Sequence, residues 1–154
     1  MAVQRDTPYS GFNFRVTIDR IGGGDAQSIA AGFQEVSGLG LEVTLAEYRN
    51  GNEVENHTRK VPTIYKASDV TFKRGVIGVN DFFAWIKATR DGDQTVRSQV
   101  TVELMDEAHT QAVMTWKLTN ARPMKYTAPS FNAKTASDVA IEELVLGIEK
   151  LDIE

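Results

Sequence analysis

Two histidines, His57 and His109, are the only imidazoles in this 154-residue chain, and cysteine is absent. A general base, a metal centre or an activated nucleophile needs such groups clustered, or held against a carboxylate at a fixed spacing. Here each histidine stands alone in a stretch that reads as a loop, with no HExxH, no GxSxG and no histidine pair at helical spacing. Both are expected to be solvated. Glu142 and Glu143 are adjacent in a strand-like run, so their carboxylates leave on opposite faces and cannot share an acid–base role. One should meet water; the other should be paired or lie at an interface. Asp25 and the turn Asp91-Gly92-Asp93 lack the ligand number and spacing of a calcium loop. The run Gly22-Gly23-Gly24-Asp25 is followed by neither GxxxxGK[ST] nor a helical pattern, and reads as a plain loop rather than a phosphate cradle. Trp85 and Trp116 could stack on bases, but both sit in apolar stripes and read as core. No enzyme, cofactor or metal is expected.

Composition narrows the class further. A chain of this length fits one domain, 1–154, and buries roughly 70% of its unfolded surface. Without cysteine there are no disulfides, which suits assembly in a reducing cytoplasm. No apolar run approaches the ~20 residues of a membrane span, and the N-terminal residues lack the apolar centre of a secretory signal. Asn56-His57-Thr58 fits the glycosylation sequon, but without that signal it is discounted. The formal net charge of −4, from 17 basic and 21 acidic residues, gives no overall attraction for nucleic acid or membrane.

The elements that would position any site are mostly strands. Residues 12–19 alternate, with Phe12, Phe14, Val16 and Ile18 on one face. Two strand-like runs, 29–36 and 41–48, are joined by Ser37-Gly38-Leu39-Gly40 and predict a β-hairpin whose second arm puts Leu41, Val43 and Leu45 on one face. Residues 69–74 read as a strand with Val70 and Phe72 together, closed by Gly75. Asn80-Asp81 then caps a helix to about Thr89, with Phe82, Ile86 and Thr89 as its stripe and Phe83 and Trp85 widening it. Residues 96–105 and 112–120 form a second predicted hairpin around the turn 106–109. A turn-rich connection, 121–134, holds Pro123 and Pro129, and 138–151 reads as one long strand, apolar on both faces.

Between these, 49–66 breaks the pattern with Gly51, three asparagines and Pro62, and reads as a long loop. Doubled back at ~3.3 Å per residue it could reach roughly 25–30 Å, well beyond the ~15 Å radius of gyration of such a domain. It can touch a neighbouring molecule. The predicted architecture is mainly β: six or seven antiparallel strands, one α-helix and one long extended loop, closing into a sandwich or small barrel.

Phe33-Gln34-Glu35-Val36-Ser37-Gly38-Leu39 followed by Glu47-Tyr48-Arg49-Asn50-Gly51 resembles the opening signature of the tail tube proteins of contractile phages and related injection systems. Phe72-Lys73-Arg74-Gly75, the run from Trp116 to Pro123, Phe131-Asn132-Ala133 and the run from Val139 to Leu144 follow in that family's order, over nearly the whole chain. The resemblance implies a homo-hexameric ring stacked into a hollow tube within a sheath, with baseplate, spike and terminator proteins at its ends and DNA or protein passing through. It implies that 49–66 contacts the next ring through Arg49, Asn50, Glu53, Val54, Arg59, Lys60, Val61, Ile64 and Tyr65. Gln34, Glu42 and Thr44 would face the lumen, and Asp81 and Lys87 on the helix would face the sheath. The particle would be a virion tail or an injection particle released from the cell. Two alternatives stay open: a monomeric or dimeric β-barrel binding a ligand inside, and a secreted or initiating tube component of a type VI-like system.

Overall fold

The computed structural model describes residues 4–21, 29–78 and 81–154; the glycine run from Gly22 and the cap residue Asn80 lie outside them. Among the described residues there are ten strands and one helix: β1 (Phe14–Ile21), β2 (Ile29–Ala31), β3 (Glu35–Ser37), β4 (Leu41–Tyr48), β5 (Arg59–Ala67), β6 (Val70–Gly75), α1 (Asp81–Arg90), β7 (Arg97–Met105), β8 (Ala112–Thr127), β9 (Ile141–Gly147) and β10 (Lys150–Ile153). All strand pairing is antiparallel, as the alternation of residues requires.

The main sheet runs β2-β1-β7-β8-β9-β6-β3, and β10 joins β8. Its pivot is β8, whose sixteen residues serve both halves. The first part pairs with β7 and β10, and the part from Arg122 to Thr127 pairs with β9. Two irregularities let it turn. Opposite Ser98 and Val100 it carries an extra residue near Asn120, whose φ of 55° is a left-handed conformation that asparagine tolerates; a second lies between Pro123 and Lys125. The Asn120 amide donates to Glu149 Oε2 at 2.7 Å, tying the bend to the β9–β10 turn. Proline is admissible where the ladder is already broken. The predicted connection 121–134 is therefore strand as far as Thr127, and the single predicted strand 138–151 is two strands, β9 and β10, which take different neighbours.

Bending β8 folds the two halves over one core. Val16 and Ile18 from β1, Val100 and Val102 from β7, Leu118 and Ala121 from β8 and Leu151 from β10 meet Val70 and Phe72 from β6 and Leu144 and Leu146 from β9. Phe33 stacks on the Phe82 ring at 6.0 Å and meets the Phe72 ring at a tilt, 5.4 Å away. The helix buries Phe82 and Trp85 as expected, with Ile86 packed beside them, but Phe83 and Thr89 are exposed. Ten residues would be marginal alone, so α1 owes its order to this contact. Phe12 is 74% exposed and precedes β1, so it does not continue the Phe14 face into the core.

The first predicted hairpin is overturned. Residues 29–31 pair with β1, residues 35–37 pair with β6, and β4 pairs with β5. The connection 37–40 is a crossing between sheets rather than a hairpin turn. Gly38 has a φ of +88°, and a Cβ there would come within 2.4 Å of the Asp69 carbonyl oxygen, so the glycine lets the chain pass close by Asp69. The true hairpin is β4–β5, and half of the predicted loop 49–66 is its second strand.

Candidate assembly surface

The β4–β5 ribbon stands apart from the main sheet as a two-stranded sheet. Cross-strand partners are Leu41 with Ala67, Glu42 with Lys66, Val43 with Tyr65, Leu45 with Pro62, Ala46 with Val61, Glu47 with Lys60 and Tyr48 with Arg59. Between Val43 and Leu45 the register slips, β5 supplying one extra residue, and the Thr63 hydroxyl donates to the Thr44 carbonyl at 2.7 Å across the slip. One face therefore carries Leu41, Val43, Leu45, Pro62 and Tyr65; the other carries Glu42, Thr44, Ala46, Val61 and Tyr48.

Every residue of β4 is exposed, and on β5 only Ala67 is buried. Ile64 at the slip is 74% exposed. An isolated two-stranded hairpin is marginal in water, and a bare apolar ribbon with two open edges invites pairing with another chain.

The tip of the ribbon is ordered by its own side chains. Arg49 Nη2 donates to the Glu53 carbonyl at 3.0 Å, Asn50 Nδ2 donates to Glu53 Oε1 at 3.2 Å, and Arg59 pairs with that same carboxylate oxygen at 3.1 Å. The Tyr48 hydroxyl donates to Asn50 Oδ1. Arg49 and Asn50 thus organise the turn, while Val54 at the apex, 95% exposed, is left outside it. His57 is exposed and lies 3.2 Å from Glu55; His109 is exposed in the β7–β8 turn.

The remaining expected site residues fall elsewhere. Glu42 and Thr44 share a ribbon face, but Gln34 lies beside β3, its amide donating to the Lys73 carbonyl at 2.8 Å. It lines an open groove of about 680 Å³ with Phe131 and Val139 of the 128–140 connection. The expectation that Asp81 faces outward is corrected. Its carboxylate turns inward onto Arg74, both Nη1 and Nη2 of which donate to it, and the side chain is largely buried. Lys87 is exposed on the outer side of α1.

Glu142 and Glu143 do diverge. Glu142 is buried and accepts from Arg74 Nε at 2.5 Å and from the Tyr126 hydroxyl at 2.8 Å, whereas Glu143 is partly exposed. Burial, together with the bond to Glu142, pushes the Tyr126 phenol above its ordinary range. Arg74 is the residue that sequence reasoning missed. Its phase with Val70 and Phe72, opposite a glutamate in phase with Leu144 and Leu146, is the signal that marks a paired charge inside the core. Trp85 is buried as expected, while Trp116 is half-buried and lines an apolar slot of about 340 Å³ with Phe14, Val36, Leu39, Val102 and Leu104. Among the described residues, no group of three or more His, Asp or Glu could hold a metal, and no helix is long and apolar enough to cross a membrane.

The chain is similar, at 29% identity and a TM-score of 0.80, to a chain in the extended sheath–tube complex of an extracellular contractile injection system, PVC, covering 96% of this chain and 91% of that one. A chain in the tube-terminating cap of the anti-feeding prophage matches at 27% identity and a TM-score of 0.82, covering 100% and 95%. Hcp1 from Flavobacterium johnsoniae shares the fold at 15% identity and a TM-score of 0.56, with 92% and 94% covered. Among curated proteins none matches. The family model of the T4-like virus tail tube protein gp19 matches residues 10–152, so the chain belongs to that tail tube family and is a structural tube component.

Proposed function

We propose that this protein builds the inner tube of a contractile tail or injection particle, six copies closing a ring and rings stacking around a channel that passes DNA or protein. The observation that carries this reading is the β4–β5 ribbon, ordered at its tip yet exposed at every residue but Ala67 and paired only within itself. A ring of copies gives the ribbon edges strands to pair with, and a stack gives the projecting tip a neighbour. Val54, Val61, Ile64 and Tyr65 make the contact to the next ring; Arg49, Asn50, Glu53, Arg59 and Lys60 shape the arm that delivers them. Glu42 and Thr44 wet the bore, where a neutral to acidic wall lets nucleic acid slide without holding it. The exposed side of α1, with Lys87, meets the sheath, and the tube ends meet baseplate and terminator proteins. Similarity to a chain of a sheath–tube complex supports those partners.

The slot beside Trp116 would favour a ligand-binding barrel, its size being near the lower end of small-molecule sites. One experiment separates the two. Purified protein at high concentration is run by size-exclusion chromatography and imaged, and the rotational symmetry of end views is counted. Sixfold rings or tubes are expected; a persistent 17.0 kDa monomer would overturn the tube reading.

A further inference from the structure

Arg74 occupies a core position. On β6 it follows Val70 and Phe72 on the inward face, and it is 2% exposed. Its cross-strand partner on β9 is Glu142, in phase with Leu144 and Leu146. One guanidinium reaches two elements: Nε donates to Glu142 Oε1 on β9, and on α1 Nη1 donates to Asp81 Oδ2 at 3.1 Å while the Phe82 ring lies 3.7 Å from its Cζ. Tyr126 on β8 completes the set through Glu142, and Asp81 Oδ1 accepts the Phe82 amide at 2.9 Å.

Such a cluster adds little to the global stability of the subunit, because desolvating three charges offsets most of what their attraction returns; what it can restrict is the local motion of the element it grips. Its distinctive property is direction. The packing of α1 through Phe82, Trp85 and Ile86 is apolar and tolerates small rotations or slides of a short helix. A planar guanidinium gripping a carboxylate with two donors fixes both distance and angle.

We propose that Arg74 is a pin that sets the position of α1 on the sandwich, and so the direction in which Phe83, Lys87 and Arg90 are presented. The consequence for the sheath rests on the proposed role of that face; the pin itself does not.

The test is amide hydrogen exchange on the full-length, unassembled protein. Arg74→Lys keeps the charge and loses the fork. A second variant, Arg74→Met with Asp81→Ser, Glu142→Leu and Tyr126→Phe, replaces the polar set with apolar groups and keeps a hydroxyl at the helix start. Both are expected to speed exchange of residues 83–90 by at least about 10-fold while residues 100–104 of β7 stay within about 3-fold of the parent. Unchanged helix exchange in either folded variant, equal acceleration of helix and sheet, or failure of both to fold would overturn the pin. Sheath assembly on tubes carrying Lys87→Glu reports separately on the outer face: normal sheathing there removes the sheath-facing reading and leaves the exchange result standing.

Discussion

Strands β4 and β6 carry the same kind of sequence and meet opposite fates. LEVTLAEY and VTFKRG both alternate apolar with polar residues, yet β6 alternates buried with half-buried while β4 is exposed throughout. What differs is neighbours. β6 lies between β3 and β9 with a second layer over its inner face, whereas β4 pairs with β5 alone and no residue of it is buried. Alternation announces which face needs covering; it does not say whether the cover comes from the same molecule. The sandwich covers its own inner faces, and the ribbon is left exposed.

The contrast can be broken or sharpened by substitution. Phe72→Ala removes a fully buried ring from the core and is expected to cost ~3–5 kcal/mol in chemical denaturation, enough to unfold much of the population. A loss below ~1 kcal/mol would mean that the core does not hold the subunit together. Gly38→Ala forces a side chain into a left-handed backbone and against the Asp69 carbonyl, for ~1–3 kcal/mol, measured in the same way. Replacing residues 61–65 by a Gly/Ser linker should change the stability of the free subunit by less than ~1 kcal/mol and yet abolish long tubes in negative stain. A large stability loss would move the ribbon into the subunit's own fold, and normal tubes would remove its bridging role.

The smallest effect concerns the β7–β8 turn. Asp106 accepts from the Thr110 hydroxyl and amide, each at 2.7 Å, and these bonds hold its carboxyl below the usual carboxylate range. A depressed folded value means that this contribution is present above the ordinary value near 3.8 and is lost as pH falls through the lowered one. The protection factor of amides 106–111, their exchange rate taken relative to unstructured peptide at the same pH, should therefore stay constant from neutrality to about pH 4 and fall only below it. Asp106→Asn should flatten that profile.

Much of the fold was legible because burial leaves a period of two. Val16 and Ile18, Val70 and Phe72, and Val100 with Val102 were assigned to inner faces correctly, and the helix was placed to within a residue or two. The hairpin at 37–40 was misplaced because its glycines satisfy a tight turn and a crossover equally well; only the register of residues 35–37 against β6 separates the two. Residues 59–66 were read as loop because Pro62 argues against a central strand, and β5 is not central: the proline sits beside a slip in a ribbon with open edges. Asp81 was placed outward because helix periodicity carries no information about a partner on a strand seven residues earlier.

The residues by themselves determined that the chain is antiparallel β with one short amphipathic helix and, by their order, to which family it belongs. These properties are local or cumulative along the chain. Only the tertiary structure decided which strands pair, that β8 bends to serve both halves, that Arg74 is gripped by two carboxylates inside the core, and that β4 and β5 stand uncovered. Pairing and cover are contacts between segments far apart in sequence, and the free energy that selects among them belongs to the whole packed arrangement.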